Sequence, residues 1–269
     1  MSMQPPLFVM EHIEVVSSGY TILDDLSVEF PEGCASFIIG KSGSGKSTLL
    51  KTLAGLIVPE KGRVLCQGKN IARYSKLEEL AFRKKCAFAF QDAALWANQS
   101  IYNNVSLPLA LHEPALEKGE RDRRIQAAIR RAGYQEGIAL RPDALSAGEQ
   151  KQVSFARCLV LDPQVLFMDE PSASLDEESV DIILSVLKEL KAAGRTLIAV
   201  SHDPRLIAEL ADQLVVVADG KVLGSGSVAS MAPLLGSELA RRIRRAQKAI
   251  QNAEADSIAA DRSTTDGTP

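Results

Sequence analysis

The sequence predicts an α/β fold built on a parallel sheet, and three stretches predict it. Residues 35–39 are apolar and run into Gly40-Lys41-Ser42-Gly43-Ser44-Gly45-Lys46-Ser47, after which Leu49, Leu50 and Leu53 recur at helical spacing. Residues 164–168 form an apolar strand that delivers Asp169 and Glu170 at its end. Residues 196–200 form a third apolar strand, which ends at Ser201-His202-Asp203, with Pro204 suited to the first turn of a following helix. Strands without polar alternation are buried on both faces, as in parallel sheets, and parallel sheets bind ligands at the carboxyl ends of their strands.

The first stretch matches G-x-x-x-x-G-K-[ST] in the required context of strand, glycine loop and helix. Glycines let the backbone turn its N–H groups inward, and the helix start adds partial positive charge, so residues Gly40 to Thr48 form a seat for phosphates. Lys46 reaches the outer phosphates and Ser47 offers a hydroxyl to Mg2+, which makes a nucleoside triphosphate the expected ligand.

The remaining elements follow in chain order. Residues 7–16 and 22–30 read as strands around a turn at Ser17-Ser18-Gly19, with Leu26, Val28 and Phe30 alternating against Ser27 and Glu29. A short strand is expected at 63–66 and a buried one at 87–90, ending at Gln91. From 92 to 161 the strand signal is low, and this stretch reads as a helical insertion. Ile125, Ala128, Ile129 and Ala132 mark one helix that Gly133 ends, and Ser146 with Glu149 opens another as a capping box. The arginines at 121, 123, 124, 130 and 131 alternate with Glu117, Glu120 and Asp122, which reads as a solvated helix face. A long helix spans 177–193, and Asp219-Gly220 marks a type I′ hairpin. A basic helix is expected over 231–257, as an extension to the main domain of residues 7–230, with a disordered tail over 258–269.

With 46% hydrophobic and 24% charged residues, a chain of 269 residues can bury a sizeable core. The net charge of -3 argues against nucleic acid as a partner. Cys34, Cys66, Cys86 and Cys158 form no C-x-x-C pair and read as core thiols. The start of the chain lacks a basic region followed by an apolar one, and no apolar run approaches 18 residues, so neither secretion nor a membrane span is expected.

Leu145-Ser146-Ala147-Gly148-Glu149-Gln150 followed by Val153-Ser154-Phe155-Ala156-Arg157, then Met168-Asp169-Glu170-Pro171 and Leu175-Asp176, then Ser201-His202-Asp203, resemble the ATP-binding subunits of ABC transporters in order and spacing. The resemblance covers residues 7–223 and implies a P-loop NTPase with a RecA-like core, an N-terminal antiparallel β portion and a helical subdomain. It implies Asp169, with Ser47, as a holder of Mg2+; Glu170 as the base that orients and deprotonates water; His202 as a γ-phosphate contact; and Gln91 as a sensor of metal and water. It further implies a head-to-tail homodimer around two ATP, in which Ser146 and Gly148 of one copy complete the site of the other. A soluble, non-transport ABC ATPase and a small-molecule kinase are the rival classes.

Three departures from the family pattern stand out. The first glycine of the signature is Ala147; the hydroxyl before Asp176 is displaced to Ser174; and Tyr20 lies three places beyond the usual adenine-stacking aromatic. Residues 90–96 and 103–109 are similar to the ATPases of Mla-type (Mce-associated) lipid transporters. That similarity implies a lipid or other hydrophobic cargo, with a polar-solute importer or an exporter as the alternative. The implied partners are a membrane permease, lipid-binding accessory subunits and a second ATPase subunit, at the cytoplasmic face of the inner membrane. Trp96 and Tyr102 lie where the family receives a permease helix, with packing inside the insertion as the alternative use for both.

Overall fold

A computed structural model describes residues 6–265 of the chain, with side chains described through Asn252. Two long strands open it, β1 (Pro6–Ser17) and β2 (Tyr20–Pro31). They pair antiparallel around Ser18 and Gly19, whose φ angles of 51° and 81° put both in the left-handed region, as a tight turn matched to right-twisted strands needs. β3 (Ala35–Ile39) follows, then α1 (Lys46–Leu53), whose Leu49, Leu50 and Leu53 are fully buried. Each of those leucines contributes roughly 1.5–3 kcal/mol of burial.

β4 (Lys61–Cys66) and β5 (Lys69–Asn70) return to the opening hairpin, giving a four-stranded antiparallel sheet in the order β2-β1-β4-β5. α2 (Lys76–Lys85) comes next, started by a second capping box, Ser75 with Glu78, that went unread in the sequence. β6 (Cys86–Ala89) is followed by the helical insertion: α3 (Ile101–His112), α4 (Lys118–Arg131) and α5 (Ala147–Leu159). α4 buries Ile125, Ala128 and Ile129 as its periodicity predicts. It stops in a double hydrogen bond, Gly133 N–H to the Arg130 carbonyl and Tyr134 N–H to the Ile129 carbonyl, which requires the φ of 80° at Gly133. Its basic face is satisfied on the surface: Arg124 pairs with Glu113 and Glu120, and Arg131 with Glu189.

β7 (Val165–Asp169), α6 (Glu177–Ala192), β8 (Thr196–Val200) and α7 (Pro204–Leu210) complete the crossover units. β9 (Gln213–Ala218) and β10 (Lys221–Gly226) form the predicted hairpin, with φ of 48° and 76° at Asp219 and Gly220. The second sheet has the order β10-β9-β3-β8-β7-β6, parallel except for β10. Alternation along its strands divides the core in two. Ile38, Phe167, Ile198, Val200 and Val215 face α1 and the antiparallel sheet. Phe37, Leu166, Met168, Leu197 and Ala199 face the helices of the insertion with α6 and α7. The molecule is therefore three layers, with the mixed sheet in the middle.

A short α8 (Val228–Met231) leads into α9 (Ser237–Thr265). Ile243 of α9 is buried against the main core. The helix continues past 257 into the stretch expected to be disordered, where Ala259 and Ala260 favour helix without needing tertiary contacts. Residues 1–5, used in the reading of the chain start, and 266–269 of the expected tail lie outside the described residues. One expectation on the cysteines is corrected. Cys158 alone is fully buried, while Cys34, Cys66 and Cys86 are half-buried; burial still pushes the thiols of Cys86 and Cys158 up to about 12 and about 11. No helix of the described residues is long and apolar enough to cross a membrane.

Candidate functional site

Parallel register brings four strand ends into one row. β3, β8, β7 and β6 are consecutive neighbours in the sheet, and Ile38 pairs with Val200, Asp169 with Val200, and Ala89 with Met168. Their carboxyl ends carry, in the same order, Gly40, Ser201-His202, Asp169-Glu170 and, two residues beyond Ala89, Gln91. Segments separated by more than a hundred residues in sequence are thus adjacent in space.

At the first end the glycine loop passes tightly under β9. A Cβ at Gly40 would lie 2.0 Å from the Val217 carbonyl oxygen, so this position admits no side chain. α1 starts at Gly45 with no side-chain cap and no acid in its first turn, which leaves its leading N–H groups open to an outside acceptor. The buried Ser44 Oγ has no protein partner. Lys46 is itself buried, and its Nζ folds back to donate to the Lys41 carbonyl at 2.8 Å. Burial lowers the Lys46 pKa, while Glu170 and Asp169 oppose that shift. A buried cation, an uncapped helix start and an unsatisfied hydroxyl together make a seat for a polyanion.

Because successive strand residues point to opposite faces, Asp169 lies on the α1 side of the sheet, and there it meets the loop. Ser47 Oγ donates to Asp169 Oδ1 at 2.9 Å. A hydroxyl and a buried carboxylate side by side are the hard oxygen donors that Mg2+ takes, so these two residues fit that ion.

Glu170 holds a left-handed backbone, with φ of 50°, and its N–H donates to the Val200 carbonyl at 2.9 Å. A non-glycine residue in this region is strained, and such strain concentrates at functional positions. Its Oε2 accepts a long 3.4 Å bond from the His202 N–H, and its Oε1 lies 3.5 Å from His202 Nε2. Burial raises the Glu170 carboxyl pKa, with His202 acting the other way. A carboxyl raised towards neutrality, beside a phosphate seat, is suited to accept a proton from water.

Gln91 and His202 are exposed along this edge. Ser146 and Gly148 are elsewhere, at the start of α5. Ser146 Oγ donates to Glu149 Oε2 at 2.6 Å and accepts from the Glu149 N–H at 3.3 Å, which is the predicted capping box. Ser146 and Ala147 are exposed, and Gly148 lies against the Ser174 carbonyl. The hydrogen bonds of Ser146 stay within this helix start rather than reaching the glycine loop of the same chain.

Two residues of α5 had no role assigned from the sequence. Lys151 is buried and donates to the Glu170 carbonyl at 2.5 Å. Arg157 donates to the carbonyls of Ala93 and Ala94 at 2.9 and 2.8 Å, holding two successive left-handed residues after Gln91. The signal available was a cation on the inward side of an amphipathic helix, in line with Phe155 for Lys151 and with Val153 for Arg157. Tyr102 follows the packing alternative: its hydroxyl donates to Asp122 at 2.6 Å, inside the insertion. Trp96 is 53% exposed and lines a groove of about 480 Å³ with Leu56, Phe90, Leu107 and Leu111. Tyr20 is exposed at the start of β2.

Comparison with known proteins agrees with this geometry. The family described as ABC transporter matches residues 23–173. The nickel import ATP-binding protein NikO of Rhodobacter capsulatus is 36% identical over 251 residues, covering 89% of this chain and 95% of the relative. The intermembrane phospholipid transport system ATP-binding protein MlaF of Haemophilus influenzae is 33% identical over 226 residues, covering 84% of this chain and 85% of the relative. Among solved structures, the dimeric ATP-binding cassette MJ0796 in a post-hydrolysis state with ADP and Pi superposes with a TM-score of 0.76 at 28% identity, covering 82% of this chain and 98% of that one. The cbiO1 subunit of the cbiONQ complex of Clostridium perfringens superposes at 0.71 and 28% identity, covering 94% and 100%.

Proposed function

The chain belongs to the ABC transporter family as an ATP-binding subunit, and from that premise we propose that it dimerises head to tail around two ATP and drives a separate membrane permease. It is an ATP hydrolase. The observation that carries the proposal is the row of strand ends: a phosphate seat, a metal-fitting pair and a raised carboxyl along one sheet edge, with the signature residues exposed on a different element.

In the proposed site the leading N–H groups of α1, Gly40 to Thr48, and Lys46 hold the phosphates. Lys46 exchanges its bond to the Lys41 carbonyl for one to phosphate oxygen, regaining in the ligand the charge partner that burial demands. Ser47 and Asp169 would hold Mg2+, with Gln91 at its margin, and the ion would supply positive charge against the phosphate oxygens. Glu170 accepts a proton from the water that attacks the γ-phosphorus, while the bond to the bridging oxygen breaks. His202 stands beside Glu170 as a donor to the transferred group. Ser146 and Gly148 of the second copy close the site with backbone N–H groups, so the nucleotide is part of the interface and hydrolysis removes the bridge.

The groove beside Trp96 supports a permease helix as the docking partner, since an exposed tryptophan among leucines is the anchor that an amphipathic helix seeks. We infer a phospholipid or other hydrophobic cargo, with lipid-binding accessory subunits, from residues 90–109 together with the phospholipid-transport relative. The nickel-import relative favours a polar solute instead. The place of action on this reading is the cytoplasmic face of the inner membrane, reached through the permease.

Glu170→Gln tests the shared site. It keeps size and hydrogen bonding but loses the base, so hydrolysis falls by about 10²- to 10⁴-fold while ATP binding survives. Light scattering then shows an ATP-dependent dimer that Ser146→Arg abolishes. An inactive, ATP-binding Glu170→Gln protein that stays monomeric even with its permease refutes the shared site. Purification with the permease from detergent, followed by lipid extraction, tests the cargo: enrichment of phospholipid supports it, and nickel-stimulated hydrolysis without lipid overturns it.

A further inference from the structure

We propose that Lys151 is a positioning residue that ties helix α5 to the peptide of Glu170 and so links the signature segment to the base that acts at the other nucleotide of the dimer. The inference rests on the shared-site reading above and adds a residue to it.

A buried ammonium needs partners, and those of Lys151 identify what it does. Its side chain is 8% exposed and its Nζ reaches the Glu170 carbonyl at 2.5 Å. The same carbonyl accepts from the Ala173 N–H at 3.2 Å, and the next residue is the buried Pro171, whose ring fixes its own φ. The Glu170 N–H is meanwhile bound to the Val200 carbonyl. Glu170 is therefore held on both sides of its Cα: by the β8 ladder before it and by Lys151 with Ala173 after it. That clamp keeps the strained φ of 50° in place, and with it the direction in which the carboxylate leaves the backbone. Burial lowers the Lys151 pKa, and the carboxylates of Glu170 and Asp169 oppose that shift, so the ammonium has acidic neighbours as well as its carbonyl partner.

The position along α5 gives the tie its consequence. Lys151 follows Gly148 by three residues, on the same helix face, and the capping box makes Ser146 to Glu149 rigid with the rest of the helix. A displacement of the helix start by the partner's nucleotide is carried to Nζ, and from there to the Glu170 peptide. The sites of one dimer are thereby joined through a single chain, without a path through the permease.

Lys151→Met, which keeps length and removes the donors and the charge, is the test, with Lys151→Arg as the conservative variant. In Lys151→Met, kcat falls by about 10- to 100-fold, as expected when a reacting group is misplaced by a fraction of an ångström. The ATP affinity of the isolated chain, read with a fluorescent nucleotide, stays within about threefold because the phosphate seat is untouched. Hydrogen–deuterium exchange, which needs no turnover, becomes faster over 170–176 and is unchanged over 40–48. Lys151→Arg restores most of kcat and the slow exchange. An unchanged kcat in Lys151→Met overturns the proposal. So does a parallel loss of nucleotide affinity and thermal stability that Lys151→Arg fails to rescue, since that is the signature of a lysine needed only for folding. Glu170→Gln measured alongside separates the two failures. If it retains hydrolysis, the shared-site reading fails; if it abolishes hydrolysis while Lys151→Met is normal, only the tie fails.

Discussion

The edge of the six-stranded sheet and the start of α5 both carry functional groups, but they are held by different means. At the sheet edge, β3, β7 and β8 are five residues each, buried throughout, and bonded to neighbours on both sides. Gly40, Asp169 and Ser201 are placed by backbone register, which a single substitution does not move. α5, and with it that start, is placed by side chains along the helix: Lys151 to Glu170, Gln152 Nε2 to Ser179 Oγ at 3.0 Å, and, in the last turn, Arg157 to residues 93 and 94. A ladder gives fixed geometry, whereas a few tethers on a rigid helix give a unit that can pivot when its contacts change. On the proposed mechanism, the chemistry sits on the ladder and the coupling sits on the tethers.

Lys46→Ala should have the largest effect, because it removes the one buried cation from the phosphate seat without disturbing the ladder. Hydrolysis should fall to background, with the thermal midpoint nearly unchanged. Normal turnover in a coupled phosphate-release assay would take this loop out of the mechanism. Arg157→Met acts on the tethers instead. It leaves the carbonyls of Ala93 and Ala94 without their donor, at a cost of about 1–3 kcal/mol, and frees the left-handed turn beside the groove. The expected result is a lowered midpoint and loss of any permease-stimulated hydrolysis, with nucleotide affinity retained. If basal affinity for ATP collapsed as well, the two regions would not be separable in the way argued here.

The same contrast explains what could be read in advance. Strand ends were legible because an apolar run followed by Gly40, Asp169-Glu170 or Ser201-His202 is a local pattern, and so were the stop at Gly133 and the capping box at Ser146. The tethers were not. Lys151 and Arg157 look like ordinary helix cations until the three-dimensional neighbour is known, and burial of a charge leaves no local mark in sequence. α3 was hidden for another reason: Pro108 lies inside it, and the first turn is begun by Ser100 rather than by an apolar period. The choice between docking and packing for Tyr102 was not written locally either, because its partner, Asp122, comes from a different helix.

Trp96→Ala should leave the isolated chain close to wild type, since an exposed side chain carries little of the fold; a change within about 0.5 kcal/mol is expected. Co-purification with the permease is where the effect should appear. Retention of a normal complex would remove the groove as the docking site.

The smallest effect on hydrolysis is expected at α9, whose apolar and basic faces can be set against each other. At 100° per residue, Leu239, Ile243 and Ile250 share one face, and Ile243 is 2% exposed where the helix packs on the core. Arg241, Arg244, Arg245 and Lys248 fall on the opposite face and are exposed. A helix that binds a lipid surface firmly inserts an apolar face and adds charge to it, and here the apolar face is already used. What remains is attraction by charge, which salt screens. Reversal of Arg241, Arg244 and Arg245 to Glu should therefore leave both hydrolysis and the thermal midpoint near wild type, whereas Ile243→Asp, which buries an unpaired carboxylate, should cost about 3 kcal/mol or more. In flotation with protein-free vesicles of anionic phospholipid at physiological salt, the isolated chain should remain in the soluble fraction. Tight flotation that is lost on reversing the arginines would make α9 a direct anchor, and membrane attachment would no longer depend on a permease.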